Sequence, residues 1–224
     1  MKRIGITQRV VLEQRVNERR DTLDQQWHAF AEEAGMQLIP IPNSLSHPNE
    51  YARQLQLEGL IFSGGNNVSE SDLEDQESIV KNDIAVERDK TEKSLLEWAI
   101  KEQNPVIGVC RGMQFIYTFF GGKLKEINSK THVAREHDIS FTDKQFSEHY
   151  GNINKCNSYH RKGMSVKDVP SGLKVCGIYE DEIEAFKHQN LPVVGMMWHP
   201  ERYPEFRNSD IQFFQNVLKS KRIQ

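Results

Sequence analysis

Cys110 lies in the run Gly108-Val109-Cys110-Arg111-Gly112, where an apolar stretch meets a helical one. Gly-x-nucleophile-x-Gly is the form of a nucleophile elbow, here with a thiol in place of the usual hydroxyl. The spacing has a physical cause. A residue at a tight strand-to-helix turn adopts strained backbone angles, and glycines two positions to either side avoid clashes across the turn. The sulfur then sits at a helix N-terminus, whose dipole favours the thiolate. The main-chain N–H of Arg111 becomes available to a developing oxyanion. On these five residues alone, a buried structural cysteine in a glycine-rich turn remains an alternative.

Two further segments weigh against that alternative. Ser63-Gly64-Gly65 follows the apolar run Leu60 to Phe62, so a second main-chain N–H, from Gly64 or Gly65, can be presented to the same oxygen. Trp198-His199-Pro200-Glu201 follows the run Val193 to Met197. A histidine at a strand end can reach the elbow as general base, and a carboxylate two residues on can hold its ring and tautomer. Acyl transfer through Cys110, with His199 and Glu201 as helpers, is the chemistry such residues can perform.

The elements that must position these groups follow from periodicity. Apolar runs alternate with helical segments through the first half, the pattern of a parallel sheet covered on both faces. Strands are expected at Arg3 to Ile6, Gln37 to Ile41, Leu60 to Phe62 and Pro105 to Val109, the last buried on both faces. Helices are expected at Leu23 to Ala34, Ile84 to Gln103 and Gly112 to Phe120. Beyond these, strands are expected at Asp138 to Phe141, Leu173 to Tyr179, Ile183 to Phe186 and Val193 to Met197, then a helix at Asp210 to Lys219. The long segment Gln8 to Gln26 reads as a loop, and the acidic stretch from Glu70 to Asp83 as a solvated face or a lid. The expectation is an α/β sandwich whose central, mostly parallel sheet is flanked by helices, a single domain over residues 1–224.

Composition excludes several function classes. A length of 224 residues supports one well-buried core, and 37% hydrophobic with 27% charged residues is ordinary for a globular protein. A net charge of -3 implies no general attraction to nucleic acid or to an anionic membrane. No apolar run approaches the roughly 20 residues needed to cross a bilayer, and none near the N-terminus would serve as a signal peptide. Cys110, Cys156 and Cys176 lack Cys-x-x-Cys spacing, which favours reduced cytoplasmic thiols over a disulfide framework or zinc. His132, His137, His149 and His188 show no metal-ligand spacing and read as surface or structural residues.

Most of these segments resemble class I glutamine amidotransferase domains, which have a flavodoxin-like sandwich, and more closely the free-standing γ-glutamyl hydrolases of peptidase family C26. The resemblance is carried by Ser63-Gly64-Gly65-Asn66, Arg88-Asp89, Asn157-Ser158-Tyr159-His160, Ile183-Glu184-Ala185-Phe186 and Trp198-His199-Pro200-Glu201-Arg202. Its most specific block is Gly108-Val109-Cys110-Arg111-Gly112-Met113-Gln114. It implies a Cys110-His199-Glu201 triad, a γ-glutamyl thioester hydrolysed by water, and no metal or organic cofactor. It also implies an oxyanion hole from Gly64 or Gly65 with Arg111, and contacts to the glutamyl group from Gln114, Ser158, Tyr159 and His160.

Within that resemblance, a small-molecule γ-glutamyl conjugate is the expected partner. The branches in view act on γ-glutamyl-CDP-amidate in capsule phosphoramidate biosynthesis or on γ-glutamyl-γ-aminobutyrate. A glutaminase subunit feeding ammonia to a synthase partner is the alternative, and a homodimer is left open. The segment after the first strand carries Arg9, Arg15, Arg19 and Arg20. Arginine suits phosphate through paired hydrogen bonds, so Arg15 and Arg19 are candidate phosphate contacts. A non-catalytic redox sensor would leave the Gly-Gly loop and His199 without a role. A peptidase for larger peptides would leave Gln114 without one.

Overall fold

The structure, a computed structural model, describes residues 1–69 and 83–219. The acidic stretch from Glu70 lies outside them, apart from its last residue, Asp83.

In chain order the strands are β1 (Lys2–Thr7), β2 (Arg9–Glu13), β3 (Glu18–Thr22), β4 (Met36–Ile41), β5 (Gly59–Phe62), β6 (Val106–Val109), β7 (Lys125–Glu126), β8 (Val133–Asp138), β9 (Ser140–Phe141), β10 (Lys155–Tyr159), β11 (Lys162–Gly163), β12 (Leu173–Tyr179), β13 (Glu182–His188) and β14 (Val193–Met196). The helices are α1 (Gln26–Glu33), α2 (Pro48–Gln54), α3 (Val86–Glu102), α4 (Arg111–Phe119), α5 (Ser129–His132), α6 (Lys144–Tyr150) and α7 (Asn208–Lys219), with a 3₁₀ turn at Pro200–Arg202.

Eight strands form one sheet in the order β4-β1-β5-β6-β14-β13-β12-β9. It is parallel from β4 to β14 and antiparallel beyond. The three central strands β5, β6 and β14 are buried at every residue, as expected of apolar strands covered on both faces. One face packs on Trp27 and Phe30 of α1, Phe146 of α6 and Phe214 of α7. The other packs on Leu95 and Leu96 of α3 and on Met113 and Ile116 of α4. The result is the expected α/β sandwich. Its parallel strands all end on one edge, where open α/β sheets carry their sites.

Two segments differ from their expected form. Gln8 to Gln26 is largely an antiparallel hairpin, with Arg9 opposite Thr22 and Glu13 opposite Glu18. Its turn lacks the Asn-Gly or Asp-Gly pair that marks tight hairpins, and its strands are too charged to look like core. Asp138 to Phe141 is not one strand: β8 ends at Asp138 and pairs with β10, while β9 pairs with β12 in the main sheet. Helix α2 and strand β10 were not anticipated. Pro48 at the start of α2 suits a first helical turn, where no N–H is required.

Candidate active site

The elbow forms as its spacing requires. Cys110 has φ 52°, a left-handed conformation unusual for a residue with a Cβ, and it immediately precedes α4. A Cβ on Gly112 would lie 2.0 Å from Phe62 O, and one on Gly108 would lie 2.7 Å from Met113 N. Both clashes are with backbone, so only glycine lets α4 seat against β5 and β6. As the first residue of α4, Arg111 has an N–H with no partner inside the helix.

His199 and Glu201 come from the segment after β14. His199 Nδ1 lies 2.6 Å from Glu201 Oε1, a hydrogen bond in which the imidazole donates. Burial opposes charge on His199, but Glu201 and then the Cys110 sulfur outweigh it and raise the imidazole to about 9. The ring and Cys110 line the same cavity. Asn157 clamps the backbone here: its Nδ2 donates to His199 O at 2.8 Å, and His199 N donates to its Oδ1 at 2.8 Å. A Cβ on Gly64 would stand 2.5 Å from His199 Cε1, so the loop after β5 needs glycine to leave room for the ring.

That loop is held by a residue whose role was not foreseen. The fully buried Arg88 donates to Ser63 O at 2.6 Å, Gly64 O at 3.0 Å and Gly65 O at 2.8 Å. With its carbonyls engaged by Arg88, the loop is fixed in one orientation. Arg88 Nε also pairs with Glu92 Oε1 at 2.9 Å, and Thr7 Oγ1 donates to the same oxygen at 2.7 Å. The Arg111 guanidinium pairs with Glu92 and Asp89, tying α3 to the elbow. Burial lowers both guanidinium groups to about 9, which leaves them charged at neutral pH.

A cavity of about 790 Å³ opens over this edge, lined by Gly65, Cys110, Gln114, Tyr159, His160 and His199 among others. Gln114 sits one turn beyond Cys110, and its Nε2 donates to Lys162 O at 2.7 Å. The Tyr159 ring stands edge-on to His199, with centroids 5.6 Å apart, and the Arg202 guanidinium covers it at 4.6 Å. Ser158 is fully buried and turned away from the cavity, its hydroxyl donating to His132 O at 2.8 Å.

The candidate phosphate contacts also fall elsewhere. Arg15 is exposed in the hairpin turn, and Arg19 is paired with Glu87. Neither lines the cavity, because the hairpin meets the site at its base. Arg9, at that base, does line it, together with Arg161, Lys162 and Arg202. Arg9 pairs with Asp83 at 2.8 Å, and Asn66 staples the hairpin to the loop through Val10 N and Val10 O, both at 2.9 Å.

Behind the cavity wall, His132, His137 and His160 are buried with Glu184, whereas His149 and His188 are part-exposed. Of the surface or structural setting expected for His132 and His137, the structure gives the interior one. Burial, then neighbouring His132, lowers His160 to about 3, and burial also lowers His137. Burial, then Glu182 and Cys110, raise Glu184 well above the usual carboxylate range.

Comparison with known proteins supplies a family context. The peptidase C26 family model matches residues 3–201. The γ-glutamyl-CDP-amidate hydrolase of Campylobacter jejuni is 29% identical over 210 residues, covering 93% of this chain and 94% of that protein. One subunit of the glutamine-hydrolysing GMP synthase of Pyrococcus abyssi is 30% identical over 168 residues, covering 75% of this chain and 77% of that protein. A solved glutamine amidotransferase of Thermotoga maritima superposes with a TM-score of 0.64 at 16% identity, over 97% of this chain and 84% of its own, a likeness of fold.

Proposed function

The chain belongs to the peptidase C26 family, and from that premise we propose that it hydrolyses the γ-glutamyl C–N bond of a small conjugate through Cys110. The observation that carries this reading is the convergence of the strained Cys110 elbow with His199, itself bonded to Glu201 at 2.6 Å. With its imidazole raised to about 9, His199 holds the proton given up by Cys110 before the sulfur attacks the γ-carbonyl carbon. The oxygen gains negative charge and accepts hydrogen bonds from the main-chain N–H groups of Arg111 and Gly65. Gly65 is favoured over Gly64 because it lines the cavity beside Cys110, while Gly64 backs onto His199. The C–N bond then breaks, His199 protonates the departing nitrogen, and a glutamyl thioester remains on Cys110. Water gives a proton to His199 and attacks the thioester; the C–S bond breaks, glutamate leaves and Cys110 regains its proton. Glu201 holds the ring throughout, and Gln114, Tyr159 and His160 border the space for the glutamyl group.

For the departing half, a nucleotide phosphoramidate of the CDP-glutamine kind fits best. Two observations support it. The relative from Campylobacter jejuni is similar along nearly the whole chain. The cavity also carries the cationic groups of Arg9, Arg161, Lys162 and Arg202, with Asp83 and Glu126 as acidic counterparts. A glutaminase subunit is the second reading, favoured by the likeness to the GMP synthase subunit of Pyrococcus abyssi. Turnover of CDP-glutamine, a γ-glutamyl-amine and glutamine by the purified chain separates them. CDP-glutamine should have the highest kcat/KM, and Arg9→Ala should raise its KM while Arg19→Ala does not. Equal use of all three substrates would remove the nucleotide, and glutamine turnover that appears only with an added synthase would favour the second reading.

A further inference from the structure

His132 closes α5, His137 lies in β8, His160 follows β10 and Glu184 lies in β13. Four separate elements thus bring four ligating side chains to one buried point. The inner atoms His132 Nδ1, His137 Nε2 and His160 Nε2 stand 3.9, 3.7 and 3.8 Å from Glu184 Oε1. The set of ligating atoms lies within 4.8 Å of one another. These distances are too long for hydrogen bonds. They suit donors around a shared ion: two ligands about 2.1 Å from a tetrahedral metal stand about 3.4 Å apart. A small inward turn of the rings would complete the shell.

The outer atoms point the same way. His137 Nδ1 donates to Asp138 O at 3.2 Å and His160 Nδ1 donates to Lys162 O at 3.0 Å. His132 Nε2 stands 3.0 Å from Glu182 Oε2, within ion-pair distance though not aligned as a hydrogen bond. A carbonyl or carboxylate on the outer nitrogen is how metal-binding imidazoles are oriented, and it sets the tautomer that turns a lone pair inward. Here three inward lone pairs meet a carboxylate oxygen. Among the described residues, no hydrogen bond reaches His137 Nε2, His160 Nε2 or Glu184 Oε1, although all are buried. His132 Nδ1 has a 3.4 Å contact from Ser158 Oγ, whose proton goes to His132 O. Buried acceptors without donors are costly, and a cation supplies what all of them lack.

We propose that His132, His137, His160 and Glu184 form a tetrahedral site for one divalent transition-metal ion of the zinc class. Three imidazoles and a carboxylate in that geometry select such an ion over calcium or magnesium. With four protein ligands the shell is closed, so the ion braces structure. It would join the separate β8–β10 ribbon to β13 of the main sheet, fixing the wall that carries Tyr159 and His160. The inference stands on these residues and needs no particular substrate.

Zinc content of the purified chain, followed by chelator stripping and titration of the apo-protein with zinc and with cobalt(II), tests it. One equivalent per chain is expected, with a tetrahedral cobalt spectrum lacking thiolate charge-transfer bands and a rise in Tm. Cys110→Ala should bind equally well, excluding capture at the elbow, and His149→Ala should bind as wild type. His137→Ala and Glu184→Gln should bind at least about 100-fold more weakly. Should those variants not fold, the wild-type cobalt spectrum decides alone. Failure of apo wild type to take up either ion, thiolate bands in the cobalt spectrum, or loss of binding in Cys110→Ala would overturn the site.

Discussion

Two buried polar clusters flank the cavity, and they solve the cost of burial in opposite ways. On the elbow side, Arg88, Glu92, Arg111, Asp89, Thr7 and the Ser63–Gly65 carbonyls neutralise one another, and among the described residues Arg111 Nε alone of this cluster's buried side-chain atoms has no partner. On the histidine side, the inner atoms of His137, His160 and Glu184 find no hydrogen bond among the described residues. The first cluster is closed and serves to hold backbone: it fixes the loop before Asn66 and the first turn of α4. The second is open, and its geometry makes sense once a cation stands among its acceptors. Burial alone therefore says little about a polar group's task, whereas the accounting of its partners says much.

Substitutions should break this contrast unequally. Glu92→Leu leaves two guanidinium groups buried with less compensation, and should cost about 3–5 kcal/mol in urea unfolding. A cost below about 1 kcal/mol would mean that the elbow cluster does not hold α3 to α4. Gly64→Ala pushes the His199 ring aside by a Cβ at 2.5 Å. It should lower kcat/KM roughly 100-fold with the fold retained, as misplacement of a reacting group by about 1 Å does. Unchanged kinetics there would contradict the placement of His199. In metal-stripped protein Glu184→Gln should shift stability by less than about 1 kcal/mol, since among the described residues Glu184 Oε1 has no hydrogen bond to lose. A penalty matching that of Glu92→Leu would erase the distinction between the clusters.

The pair at the cavity itself gives a pH signature. His199 is raised to about 9 in the folded chain, against about 6.5 for a free histidine. Its stabilising contribution is then complete below the free value and is lost as pH rises through the folded one. The gap in urea midpoint between wild type and Glu201→Gln should be wide at pH 6 and narrow by pH 9.5. A gap that does not change with pH would mean that His199 is not charged beside Glu201.

The elbow, the Gly64–Gly65 loop and His199 with Glu201 were legible in the sequence because each is local: a few residues at the end of one apolar run. The sandwich was legible for the same reason, from the unbroken apolar strands β5, β6 and β14. What stayed hidden is made by juxtaposition. Arg88, Asp89 and Glu92 sit in a charged stretch, Val86-Glu87-Arg88-Asp89-Lys90-Thr91-Glu92-Lys93, which looks like a solvated helix face. Only packing of α3 on the elbow turns those three inward. The histidine cluster has no motif, because the register of β8 with β10 and the neighbouring position of β13 bring its members together. Arg9 and Arg19 read alike until a hairpin carries one to the cavity and the other to Glu87.

Cys110 should carry the glutamyl group during turnover, which acid quenching of the steady state followed by intact-mass and peptide analysis reads out. One glutamyl adduct per chain is expected on the Cys110 peptide, with Cys110→Ala showing no adduct and a loss of kcat of about 10⁴-fold or more. An adduct on another residue, or turnover that survives in Cys110→Ala, would contradict it.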